Sequence, residues 1–135
     1  MYAQCPYISN LYGKEGTELK SLTENDTYFL RVDMLGLMAS IYDGIDSKNP
    51  LAWPYHADSS MLEGLPPHSI TVNELDTLRN EGLAYSEKLK KAGISVSTKI
   101  IKGTVHAAEN IFPVEIPEIH NQAIEDIKSF SYSLK

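Results

Sequence analysis

The sequence predicts an α/β fold of about three parallel strands with flanking helices, and three observations carry that prediction. Strand-like and helix-like segments alternate along the chain, a pattern that implies parallel strands joined by crossovers. An acid, Asp76, follows the apolar run Ser69-Ile70-Thr71-Val72, and a base, His106, follows thirty residues later in Lys102-Gly103-Thr104-Val105-His106, so each stands just past a strand. The chain has 135 residues, 42% hydrophobic and 22% charged, the composition of one ordinary globular domain.

Met1 to Ile8 reads as a short first strand, ended by Pro6 and the Ser9-Asn10 pair. A loop with Gly13 and Gly16 leads to Ser21-Leu22-Thr23-Glu24, which fits a capping box at a helix start. Leu30, Met34, Leu37, Met38 and Ile41 recur at helical spacing and predict one apolar stripe. From Gly44 to His68 the chain carries Pro50, Pro54, Pro66 and Pro67 with little periodicity. Loops beyond about 12 to 15 residues are uncommon in compact domains unless they serve a site or pack on another part of the protein, so this segment is expected to pack.

Ser69 to Leu75 is the clearest strand. Leu78, Gly82, Tyr85 and Leu89 then line one face of a helix closed by Lys90, Lys91 and Gly93. Ile94 to Ile101 alternates as the next strand, and Ala123 to Leu134 forms a last amphipathic helix. Parallel sheets are normally covered on both faces and extended on both sides. Three strands with an abrupt start at Met1 therefore lead to the expectation that neighbouring strands lie outside this sequence.

The formal charge of −6 argues against a nucleic-acid partner, because that affinity comes largely from Lys and Arg that displace counterions. The one basic cluster, Lys88 to Lys91, reads as the wet face and last turn of a helix. Cys5 is the only cysteine, so no internal disulfide is possible; it is expected to pack as a small apolar group, and a cytoplasmic setting is favoured. No apolar run approaches the roughly 18 to 20 residues of a membrane span, and no basic-then-apolar leader is present.

Asp76 and His106 are the candidate catalytic residues. A serine hydrolase uses a carboxylate to fix the tautomer of an imidazole, which takes the proton from the nucleophile. Asp76 also fits the plainer role of capping the helix that follows. His56, His68 and His120 lack such a context, and Glu74 with Asp76 lacks the paired histidines of a zinc site. Asp43 and Asp46 with Gly44 form a turn rather than a calcium loop. No Gly-x-Ser-x-Gly and no His-Gly-Gly-Gly run occurs, and Ser9, Ser40, Ser59 and Ser60 are read as turn or exposed helix residues.

Four ordered motifs carry a resemblance: Asn49-Pro50-Leu51-Ala52-Trp53-Pro54, Gly64-Leu65-Pro66-Pro67, Val72-Asn73-Glu74-Leu75-Asp76-x-Leu78-Arg79-x-Glu81-Gly82, and Gly103-x-Val105-His106. With Tyr7-Ile8-Ser9 and Ser21-Leu22-x-Glu24-Asn25-x-x-Tyr28-Phe29, they make nearly the whole chain resemble the carboxyl-terminal part of α/β-hydrolases of the hormone-sensitive-lipase-like esterase family, closest to the brefeldin A esterase group. The resemblance implies that Asp76 and His106 match the acid and base of a catalytic triad. It also implies that Ser21–Tyr42 helps cover an acyl pocket and that small-molecule carboxylic esters are cleaved without metal or organic cofactor. The chain departs from the family pattern in lacking the serine motif and oxyanion glycines, in Thr77 where proline is common, and in Ala107 where glycine is usual.

The expectation is therefore that residues 1–135 form a partial α/β-hydrolase domain without the amino-terminal strands, oxyanion loop and nucleophile elbow, inactive without that missing part of the same fold. The alternative is a non-catalytic interaction module derived from a hydrolase core, pairing through its uncovered first strand. An unrelated small ligand-binding domain is disfavoured by the four motifs.

Overall fold

The computed structural model describes residues 1–135. In chain order the elements are β1 (Tyr2–Gln4), α1 (Ser21–Glu24), α2 (Val32–Tyr42), a 3₁₀ turn (Pro54–His56), α3 (Ser59–Leu62), β2 (His68–Asn73), α4 (Arg79–Lys91), β3 (Val96–Ile101), α5 (Ala108–Ile111) and α6 (Pro117–Ser133). The three strands pair in the order β1-β2-β3, all parallel, with Ile70 opposite both Ala3 and Thr98. No helix is long and apolar enough to cross a membrane.

β2 is buried at every residue, whereas the outer β3 is exposed along much of its length. The β-branched Ile70, Thr71 and Val72 suit a strand packed on both faces. β1 is shorter than its sequence suggests. Cys5 sits in the left-handed region at φ 44° and Pro6 has no N–H to give the ladder, so pairing stops after the Cys5 amide reaches the Thr71 carbonyl at 2.9 Å.

α4 runs close along β2, and Gly82 makes that approach possible: a Cβ there would stand 2.7 Å from Val72 Cγ1 and 3.3 Å from Pro6 Cγ. Ile70, Val72, Tyr85 and Leu89 form one buried cluster with Ala57 and Leu62. The second cluster lies under the long connections, where Tyr12, Leu19, Leu22, Leu35, Ala39, Trp53, Tyr55 and Leu78 meet. Tyr7 stacks on Tyr12 at 4.7 Å and lies edge-on to Trp53 at 5.6 Å. The Pro-rich segment therefore packs on this chain's own core through Trp53, Tyr55, Ala57 and Leu62.

Several expectations are corrected. Ser21 is not a capping residue: α1 is a single turn, and the Ser21 hydroxyl donates to the Thr77 carbonyl at 2.7 Å and accepts from the Asn80 amide at 3.0 Å. The stripe predicted from helical spacing lies on α2, and it is exposed. Met34, Leu37, Met38 and Ile41 face outward, Ile41 at 77% exposure, while Leu35 and Ala39 are the buried pair. The last helix begins at Pro117 rather than Ala123, with proline at its first position, and α5 lies beyond anything the periodicity indicated.

Candidate functional site

The site lies beyond the carboxyl ends of the strands, where open parallel sheets leave a crevice. Asp76 stands three residues past β2, fully buried, and its two oxygens do different work. Oδ1 accepts the Leu78 N–H at 3.0 Å, and Oδ2 lies 2.9 Å from His106 Nδ1. One side chain thus both accepts the backbone amide just before α4 and meets the imidazole. The backbone around it is clamped by Asn25, whose amide donates to the carbonyls of Glu74 at 3.1 Å and Asp76 at 2.9 Å.

The His106 loop follows β3 and is tied at each end. Glu74 receives the Lys102 ammonium at 2.9 Å and the Gly103 amide at 2.8 Å, and these hydrogen bonds hold its carboxyl below the usual range. Glu74 is thus an anchor rather than a metal ligand. Asn73 is the second tie: its amide donates to Thr104 Oγ1 at 2.7 Å and Glu109 at 2.8 Å, while its oxygen accepts the Ala107 N–H at 3.1 Å. Ala107 has φ 51°, so the residue after the imidazole occupies the left-handed conformation that favours glycine. His106 keeps 23% of its side chain exposed while Asp76 is sealed, so the pair is held from within and open on the imidazole side.

A carboxylate hydrogen-bonded to Nδ1 favours the tautomer with the proton on Nδ1, which leaves Nε2 as the acceptor. The remaining histidines are elsewhere. His56 Nε2 contacts the Asn10 side-chain oxygen at 2.7 Å and the Ser9 carbonyl at 3.0 Å, His68 contacts the Pro66 carbonyl, and His120 contacts the Glu109 carbonyl. Burial lowers the affinity of His56 and His68 for a proton, in keeping with structural roles.

Three residues of the network had no separate reading in the sequence. Glu81 is buried and accepts from the Ile8 amide at 2.6 Å, the Ser9 hydroxyl at 2.6 Å and the Tyr12 hydroxyl at 2.8 Å; burial pushes its carboxyl up to about 7. Ser9 is therefore a buried partner of Glu81 and not a turn residue. Asn73 and Glu109 are equally sealed. The available signal was a polar residue at a core position: Glu81 falls between Leu78, Gly82 and Tyr85 on the apolar face of α4. Cys5 is buried as expected, yet it is not merely apolar packing, since its thiol donates to Asn73 Oδ1 at 2.7 Å.

A family model described as the alpha/beta hydrolase fold matches residues 3–110. The chain belongs to the α/β-hydrolase family. Within it, the chain is of the hormone-sensitive-lipase-like esterase kind: it superposes on brefeldin A esterase, described as a bacterial homologue of human hormone-sensitive lipase, with TM-score 0.92 and 41% identity over 96% of this chain and 37% of that one. It is also similar to the structure of esterase Est22, with TM-score 0.79 and 34% identity over 98% of this chain and 39% of that one. Among curated proteins it is 37% identical to Lipase 2 of Moraxella sp. (strain TA144) over 67% of this chain and 20% of the relative. It is 34% identical to an arylesterase of Saccharolobus solfataricus over 78% of this chain and 34% of the relative. The chain thus spans a fifth to a third of these curated relatives.

Proposed function

We propose that this chain is the acid–base portion of a serine carboxylesterase, with His106 as general base and then general acid and Asp76 as the residue that orients it. The observation that carries the reading is the 2.9 Å contact between Asp76 Oδ2 and His106 Nδ1 at the strand-end rim, with the carboxylate sealed and the imidazole partly open. The nucleophile and oxyanion donors come from residues outside this sequence, which holds no Gly-x-Ser-x-Gly. Residues 1–135 are then a partial domain lacking the amino-terminal strands, oxyanion loop and nucleophile elbow. The 37% coverage of brefeldin A esterase supports this.

In that assembly His106 Nε2 takes the serine proton as the hydroxyl attacks a carboxylic ester, then returns it to the departing alcohol; water repeats the cycle on the acyl-enzyme. The purified 135-residue chain is expected to show no hydrolysis of a short-chain p-nitrophenyl ester. A chimera joining the part of brefeldin A esterase that this chain does not cover to residues 1–135 is expected to hydrolyse it and to lose that activity on His106→Ala. A folded chimera that turns over equally well without the imidazole would refute the assignment.

A second reading, a non-catalytic interaction module, is favoured by one feature: the outward apolar face of α2, with Met34, Leu37, Met38 and Ile41 exposed beside a sheet whose β1 edge is unpaired. It requires the isolated chain to fold cooperatively and to hold a defined stoichiometry with a partner. Aggregation with no such species counts against it.

A further inference from the structure

Each of the three strands delivers one potential metal donor to the same point of the rim. Cys5 follows β1 directly, Asp76 stands three residues past β2 and His106 five past β3, and their ligand atoms all lie within 4.8 Å of one another. We propose that Cys5 Sγ, an Asp76 carboxylate oxygen and His106 Nδ1 form a three-donor site for a divalent d¹⁰ cation, Zn²⁺ or Cd²⁺, and that the bound ion disables the Asp76–His106 pair.

The donor set and the spacing both suit such an ion. Zinc takes thiolate, imidazole and carboxylate ligands at about 2.0–2.3 Å in tetrahedral arrangement, which sets donors roughly 3.5 Å apart. The Asp76–His106 contact at 2.9 Å opens by about half an ångström, and the widest pair closes by about 1 Å to reach this spacing. That movement falls to Val105 and His106, which lie in irregular chain between the ties at Thr104 and Ala107. Cys5 is held at φ 44°, an unfavourable conformation for a residue with a side chain, and Pro6 follows it. That backbone places Sγ beside Asp76 and His106.

Charge balance favours the bound state. The thiol proton leaves to solvent, and as the metal takes His106 Nδ1 the imidazole's single proton moves through solvent from Nδ1 to Nε2. One thiolate and one carboxylate then neutralise the dication, which is how a largely buried site can hold it. Burial and the nearby Asp76 carboxylate raise the thiol's pKa in the metal-free protein, but a coordinated thiol is deprotonated outright. Asn73 Oδ1 loses the Cys5 donor at 2.7 Å but keeps the Ala107 amide at 3.1 Å. With three protein donors, a fourth position is left for water.

The functional consequence rests on the reading of His106 as the base. With metal on Nδ1 and a proton on Nε2, the imidazole can donate but not accept, so it cannot take a proton from a nucleophile. Binding itself does not depend on that reading, and the two can fail separately.

The test uses the metal-free 135-residue chain titrated with Cd²⁺ while the ultraviolet thiolate-to-cadmium charge-transfer band is followed. Cys5 is the only cysteine, so the band can arise from no other residue. It should saturate near one equivalent and be absent in Cys5→Ser. His106→Ala should weaken binding by more than the roughly 10- to 100-fold that loss of an outer-shell partner causes. Cadmium NMR of the unmutated chain supplies a reading independent of the variants' folding, with a shift expected for one sulfur with nitrogen and oxygen donors. No band at excess Cd²⁺, undiminished affinity in folded His106→Ala, or a shift with no nitrogen contribution overturns the site.

Discussion

Asn73 Oδ1 accepts the backbone amide of Ala107 at 3.1 Å, and through this bond the last residue of the central strand fixes the position next to His106. The same side chain donates to Thr104 and Glu109, so strand end, imidazole loop and α5 are tied at one buried amide. Glu109 in turn receives the Gln4 amide at 3.3 Å, extending the tie to β1.

Asn73→Ala is therefore expected to destabilise the chain by about 2–4 kcal/mol, because it leaves the buried Glu109 carboxylate with the Gln4 amide as its remaining side-chain donor and takes the acceptor from the half-buried Ala107 amide. Urea unfolding of the variant checks the value. A loss below about 1 kcal/mol would mean that water replaces the amide and the network is not buried as described.

Ala107→Gly should act in the opposite direction. At φ 51° an L-residue costs about 1–2 kcal/mol, and the extra chain entropy of glycine returns about 0.5–1 kcal/mol of that, leaving a net gain near 0.5–1 kcal/mol. The denaturation midpoint should rise with an unchanged slope; a lower midpoint would show that the Ala107 methyl makes contacts outweighing the strain.

Glu81 makes stability fall as pH rises. Its folded pKa of about 7 lies above the unfolded value of 4.5, so between those values the folded state binds more protons and ionisation favours unfolding. The loss begins near pH 4.5, ends just above pH 7 and amounts to about 3 kcal/mol. Glu74 and Asp126, with lowered pKa values, contribute in the other sense below that window, and His56 and His68, whose burial lowers their pKa from 6.5, oppose the decline within it. Urea unfolding of the wild-type chain across this range should show the decline, and Glu81→Gln should flatten it; an equal slope in the variant would remove Glu81 as its source.

Gly82→Ala is expected to cost about 1–3 kcal/mol, since its Cβ would fall 2.7 Å from the stiff Val72 Cγ1 in the helix–strand seam. Val72→Ala removes that obstacle, so the two substitutions should be strongly non-additive in a double-mutant cycle. Additivity within about 0.5 kcal/mol would show that α4 simply moves away from β2.

Much of this was legible in residues 68–106. The β-branched run of β2, the apolar face of α4 and the lysines at its end are local patterns, and local patterns survive into the fold because each satisfies its own periodicity and capping needs. The α2 stripe was legible as an apolar face, but periodicity does not say what covers such a face: Leu35 and Ala39 turn inward while Met38 and Ile41 are exposed.

The sequence by itself determined the order of strands and helices, the parallel sheet that order requires, and the placing of Asp76 and His106 each beyond a strand. Only the tertiary structure decided that the two meet at 2.9 Å, that Cys5 stands beside them, and that Asn73, Glu81 and Glu109 are sealed polar ties rather than surface residues. The reason is physical: spacing along a chain sets which element carries a group, whereas the desolvation that makes a buried carboxylate or amide demand a partner exists only once other segments have closed over it.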